Sequence, residues 1–186
     1  ITYENTSENT WTAKYTAHIS DTNGNVTFSI EFVDEALNIG TNVIATTDNT
    51  NVRFDNINPT LDSVSISSSN SNTGLAKADD IITLTFTASE TIQEPVVTFQ
   101  SGGVDVTNNI TYENTSENTW TAKYTAHASD TDGNVTFSIE FVDEVGNAGT
   151  PVTSGSGAVT FDNTNSTLSS VGIVSSNSED NQLAKA

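Results

Sequence analysis

Residues 1–43 of this chain recur at residues 110–152. The first 18, ITYENTSENTWTAKYTAH, return unchanged, and 37 of the 43 paired positions are identical. A second match, FDNINPTLDSVSI at 54–66 with FDNTNSTLSSVGI at 161–173, has an offset of 107 residues, against 109 for the first. LAKA at 75–78 and 183–186 repeats with an offset of 108. One unit is therefore 107–109 residues long, the size of a two-sheet sandwich. Arrays of near-identical modules set length and surface; as a rule they do not house one active site.

The polar Asn/Pro stretch after Phe54, and its counterpart after Phe161, marks the unit boundary. On that register residues 57–163 form one complete domain. Residues 1–56 are the second half of a preceding unit, and 164–186 the opening of a following one. Residue 1 is then expected to lie inside a repeat, with the true N-terminus elsewhere.

The residues favour strands. Ile82, Leu84, Phe86 and Ala88 alternate with Thr83, Thr85 and Thr87. Trp120, Ala122, Tyr124 and Ala126 form a second such run, and Val135, Phe137, Ile139 and Phe141 a third. Period-2 alternation of this kind is the mark of half-buried strands and argues against disorder. Seven strands are expected in 57–163, over 61–67, 81–88, 95–100, 104–107, 119–127, 134–142 and 157–162. Asn, Asp, Ser and Gly supply the turns between them. LAKADD at 75–80 is expected to make one helical turn.

Composition narrows the function. With 24 acidic and 5 basic residues the formal charge is −19, so phosphate backbones and anionic membranes are repelled and divalent cations attracted. Nucleic-acid binding is excluded as an expectation. No apolar run approaches the roughly 18 residues of a membrane-spanning helix, so direct membrane insertion is not expected. There is no Cys, hence no disulfide and no thiolate metal site.

GLAKADDIITLTFTASETI, WTAKYTA, DGNVTFSIEFVDEVGNAGT and the exit FDNTN resemble the bacterial Ig-like repeats of large exported surface proteins and adhesins. The likeness extends over the complete domain and both flanking pieces. It implies an all-β chain of tandem immunoglobulin-like β-sandwich repeats, extracellular at the cell surface, strung into a stalk and often stiffened by calcium at the junctions. The chain departs from the pattern at Asn165-Ser166-Thr167, where the first linker keeps a proline in Asn58-Pro59-Thr60. It departs again at Leu37, which stands where the second copy has Gly146.

In such a sandwich the linker at Asp55–Asn58 falls between two loops. One is Asp21–Asn25 of the first unit, the other Asp143–Asn147 of the second. That places oxygens of Asp21, Asp55, Asp143 and Asn147 at one junction, and the same logic names Asp130, Asp132 and Asp162 at the next. Calcium takes six to eight such oxygens in flexible geometry. The plainer alternative is that these side chains only make turns.

Other candidates are weaker. His18 and His127 are expected to face solvent without a catalytic partner. The Thr83–Thr85–Thr87 ladder is first of all strand propensity, although ice binding is conceivable. Trp11 and Trp120 are expected as core anchors, not sugar platforms. The leading expectation is a non-enzymatic spacer whose partners are neighbouring repeats. The rivals are a self-assembled filament, in which other copies of the chain supply strands, and a carbohydrate- or ice-binding module.

Overall fold

The computed structural model describes residues 1–176. The second LAKA at 183–186 lies outside them. The described chain is all β, with no helix.

In the first part, β1 (Thr2–Ser7) pairs antiparallel with β2 (Thr10–Lys14), and β3 (Gly24–Asn25) with β4 (Arg53–Phe54). Then follow β5 (Leu61–Ser68), β6 (Leu75–Ala76), β7 (Ile81–Ala88), β8 (Val96–Ser101), β9 (Val104–Asp105), β10 (Thr111–Ser116), β11 (Thr119–Thr125), β12 (Gly133–Glu140) and β13 (Val159–Phe161). One sheet has the order β10-β11-β7-β5 and the other β6-β13-β12-β8-β9. All pairs are antiparallel except β6 with β13. Residues 164–176 form no strand.

Register follows from the alternation. Phe86 stands opposite Trp120 and Val64, and Leu84 opposite Ala122 and Ile66. In the other sheet Phe137 faces Phe99, and Ile139 faces Val97. A slip of one residue would turn each of these sets to solvent, so the apolar face fixes the pairing. One buried cluster draws on both sheets, and its rings meet where Phe99 and Tyr124 lie with centroids 4.8 Å apart. Burying one such side chain is worth about 1.5–3 kcal/mol. The core is thus a sandwich interior sealed within residues 61–161.

One side is closed by backbone. The Ser156 N–H donates to Val64 O at 2.9 Å, and the Ile66 N–H to Ser156 O at 3.0 Å. Glycines flank this contact because a Cβ on Gly155 would come within 2.6 Å of Val64 O, and one on Gly157 would collide with Ile66 O.

Three expectations need correction. β10 was not expected as a strand. It is a polar edge strand in which only Tyr112 is half-buried, so it carries no alternation to read. LAKADD makes no helical turn: Leu75–Ala76 pair with β13, and the chain then turns at Asp79 with φ 73°. The Asp80 carboxylate fixes that turn by accepting from the Lys77 N–H and the Asn70 amide, both at 2.8 Å. Trp120 sits half-buried at the edge of the core, and Trp11 is 67% exposed.

The site is positioned at one end of the sandwich. The Ser89 N–H donates to Thr60 O, and the Thr60 N–H to Ser89 Oγ, which docks the linker beside the β7–β8 loop. Gln93 ties that loop to the segment after β12 by donating its side-chain amide to Asp143 O at 3.0 Å.

Candidate functional site

Asp55, Glu90 and Asp143 come from three segments: the linker, the β7–β8 loop and the turn after β12. Their carboxylate oxygens lie within 4.8 Å of one another. The cleft around them has a volume of about 350 Å³, and Arg53, Glu117 and Glu144 stand on its walls.

Asp143 is 2% exposed. Its Oδ1 accepts the N–H groups of Val145, Gly146 and Asn147 at 3.0, 2.7 and 2.8 Å, and its Oδ2 accepts the Asn147 side-chain amide at 2.7 Å. Burial alone would raise its pKa. The Asn147 side-chain amide, with the three backbone donors, outweighs burial and holds the carboxyl below its ordinary value. Asp143 is therefore a preformed anion in a dry place.

The Asp55 side chain is 4% exposed and pairs with Arg53 Nη2 at 2.9 Å. Its backbone oxygen accepts the Asn147 side-chain amide at 3.2 Å. Glu90 shifts the other way. Burial raises its pKa first, the charges of Asp55 and Asp143 raise it further, and only Arg53 opposes them. Three carboxylates crowded this way repel one another unless a cation or proton intervenes.

Two oxygens bound to one calcium ion stand at most about 4.8 Å apart, twice a bond of roughly 2.4 Å, and these three lie within that limit. The triad therefore fits a shared hard cation. Asp55, Glu90 and Asp143 are the residues able to hold one, with Glu117 and Glu144 on the rim. Among the described residues no other three acidic or imidazole side chains come close enough to share one ion.

Of the four residues expected at this junction, the fold gathers Asp55, Asp143 and Asn147. Asn147 acts as a brace, donating its amide nitrogen to both neighbours. Asp21 does not arrive. Its carboxylate accepts the Tyr15 hydroxyl and the His18 N–H, each at 2.7 Å, within its own loop. Asn23 reaches the linker in its stead, accepting the Asn56 N–H at 2.8 Å.

At the next junction Asp132 accepts the Asn163 N–H at 2.8 Å and the Thr164 hydroxyl at 2.7 Å, and Asp162 accepts the Thr164 N–H at 2.9 Å. Asp130 turns away, holding the His127 N–H at 2.8 Å and the Asn108 amide at 3.2 Å. Asp130, Asp132 and Asp162 thus do not converge as a triad.

Glu90 was missed by the sequence reading. The signal was present: it stands two residues past the strand end at Ala88, in a loop at the same end as Asp143. His18 and His127 are both exposed, as expected. Thr83, Thr85 and Thr87 are half-buried in the middle of their sheet.

No protein-family model matches the chain, and neither a curated protein nor a solved structure is significantly similar to it.

Proposed function

We propose that the chain is a run of immunoglobulin-like repeats serving as a non-enzymatic stalk or spacer of a long extracellular surface protein, with calcium stiffening the joints. The observation that carries this reading is the linker. It is short, and a side chain from each flanking unit holds it: Asn23 on one side, Asn147 on the other. A joint built this way transmits the direction of one module to the next.

The sheet order supports the Ig-like part. If β5, β7, β8, β10, β11, β12 and β13 are lettered A to G, one sheet contains A-B-E-D and the other C-F-G, the constant-type arrangement. The sealed core in 61–161 supports autonomy, since each module that owns its interior adds a fixed increment of length. The acidic triad at the joint supports the cation.

Small-angle scattering on chains with one, two and three added copies of residues 57–163 tests the stalk. A maximum dimension that grows by a constant step is the expected result, and collapse to a compact particle would sink it. Chelator should lower the melting temperature of these tandems and broaden their distance distribution. Identical curves with and without chelator would remove calcium from the reading.

A filament joined by strand exchange is the second reading. Its support is the apolar side of residues 1–54, where Trp11, Tyr15, Phe28 and Phe32 are exposed. Sedimentation of the 186-residue chain should then show concentration-dependent growth.

A further inference from the structure

Arg53 is the chain's single arginine, and it stands on the wall of the acidic cleft. It sits on β4, two residues before Asp55, where the linker begins. Its Nη2 lies 2.9 Å from Asp55 Oδ2. In the next unit FDN returns as Phe161-Asp162-Asn163, but the residue before it is Thr160. The Thr160 hydroxyl is engaged sideways with the Asn134 side-chain oxygen at 3.2 Å. The first exit therefore sets a cation beside its carboxylate, and the second has a neutral hydroxyl in that place.

We propose that Arg53 is a built-in cation of the first junction, which neutralises Asp55, holds the linker closed and makes this joint less dependent on divalent ions than a joint with threonine in its place. The inference deepens the calcium reading and its divalent-ion part rests on it, while the tether itself rests on the ion pair. The physical case is desolvation. A carboxylate almost fully withdrawn from water needs a partner, and a guanidinium supplied by the same strand costs little entropy to bring in. Glu90 and Asp143 stand beside the pair, so a divalent ion entering the cleft would meet a positive charge on Asp55. Replacing Arg53 would remove that positive charge and leave Asp55 Oδ2 open to the ion beside Glu90 and Asp143.

The test compares the 186-residue chain with its Arg53→Thr and Arg53→Lys variants by amide hydrogen exchange. The Asn56 and Ile57 N–H groups report the linker directly, being bonded to Asn23 and Asp55. In chelator, R53T should exchange at these two positions about two- to fivefold faster, the size of an ion pair whose guanidinium stays largely in water. R53K should fall between. Added calcium should restore protection in R53T and change the parent chain little. Equal exchange of R53T and parent in chelator would overturn the proposal. So would a parent chain that loosens in chelator as much as R53T does. Loosening of R53T that calcium does not repair would leave the arginine tether standing and sink the calcium reading.

Discussion

Residues 1–43 and 110–152 are nearly the same text, yet they end in different physical states. Tyr124 is 2% exposed and Ile139 is fully buried, while their counterparts Tyr15 and Ile30 are 57% and 52% exposed. Phe141 lies in the core; Phe32 is half in water. The difference is in what covers them. The second copy packs against β5, β7 and β8, and among the described residues no such strands are set against the first copy.

Local structure is nonetheless reproduced. The β1–β2 hairpin has the register of β10–β11, from Thr2 opposite Lys14 to Ser7 opposite Thr10, with the irregularity at the same place. Asn5 and Asn114, amide oxygens turned to the indole, accept from Trp11 and Trp120 Nε1 at 3.1 Å in both. Asp34 cradles Asn38 as Asp143 cradles Asn147. Even the Leu37 turn is kept, with the leucine at φ 67° where Gly146 has φ 100°. Short-range hydrogen bonds follow the local sequence, and burial follows the partner.

That comparison can be broken most directly by supplying the partner. Placing a second copy of residues 57–109 ahead of residue 1 should create another cooperative unit, adding a transition of roughly 5 kcal/mol or more in denaturant. Failure to gain it would mean the first copy cannot form a core. Next in size, Ile139→Ala should cost about 2–5 kcal/mol, as large-to-small changes in packed cores do, and Ile30→Ala close to nothing. Equal losses in a urea melt would contradict the difference in burial.

The turn gives a smaller effect. Gly146→Leu should destabilise by about 1–3 kcal/mol, because a branched residue would be forced to positive φ in the unit that sets the melt. Leu37→Gly should leave the main transition where it is. Smallest is the acid response. Asp80, Asp132 and Asp143 all titrate below their ordinary value in the folded state. Their stabilisation is present above the unfolded carboxylate pKa and is lost as pH falls through the lowered folded values, so acid should lower the melting temperature. Glu90 runs opposite: its raised pKa favours folding only at low pH, and it costs stability once ionised. Asp143→Asn should flatten the acid limb and lose about 1 kcal/mol at neutral pH, while Asp34→Asn should leave the limb unchanged. A D34N chain with the flattened limb would show that the two cradles contribute alike.

Much of the fold was legible from residues alone. Ile82–Ala88 and Val135–Ile139 announce strands by alternation. Thr111–Ser116 could not be read, since an edge strand with both faces wet has no alternation. The Leu75–Ala76 bridge was equally hidden, because its pairing with β13 spans most of the domain. At the site, Asp55, Asp143 and Asn147 followed from loop placement. Asp21 was misplaced because its nearest donors, Tyr15 and His18, hold it locally.

The hairpins, the Asx cradles and the direction of each strand's apolar face are set locally, since they depend on neighbours a few residues apart. Tertiary structure decided which of two near-identical segments became interior, and which three carboxylates met at the joint. Both need strands and loops distant in the chain to arrive at one place, and a local reading carries no term for that arrival.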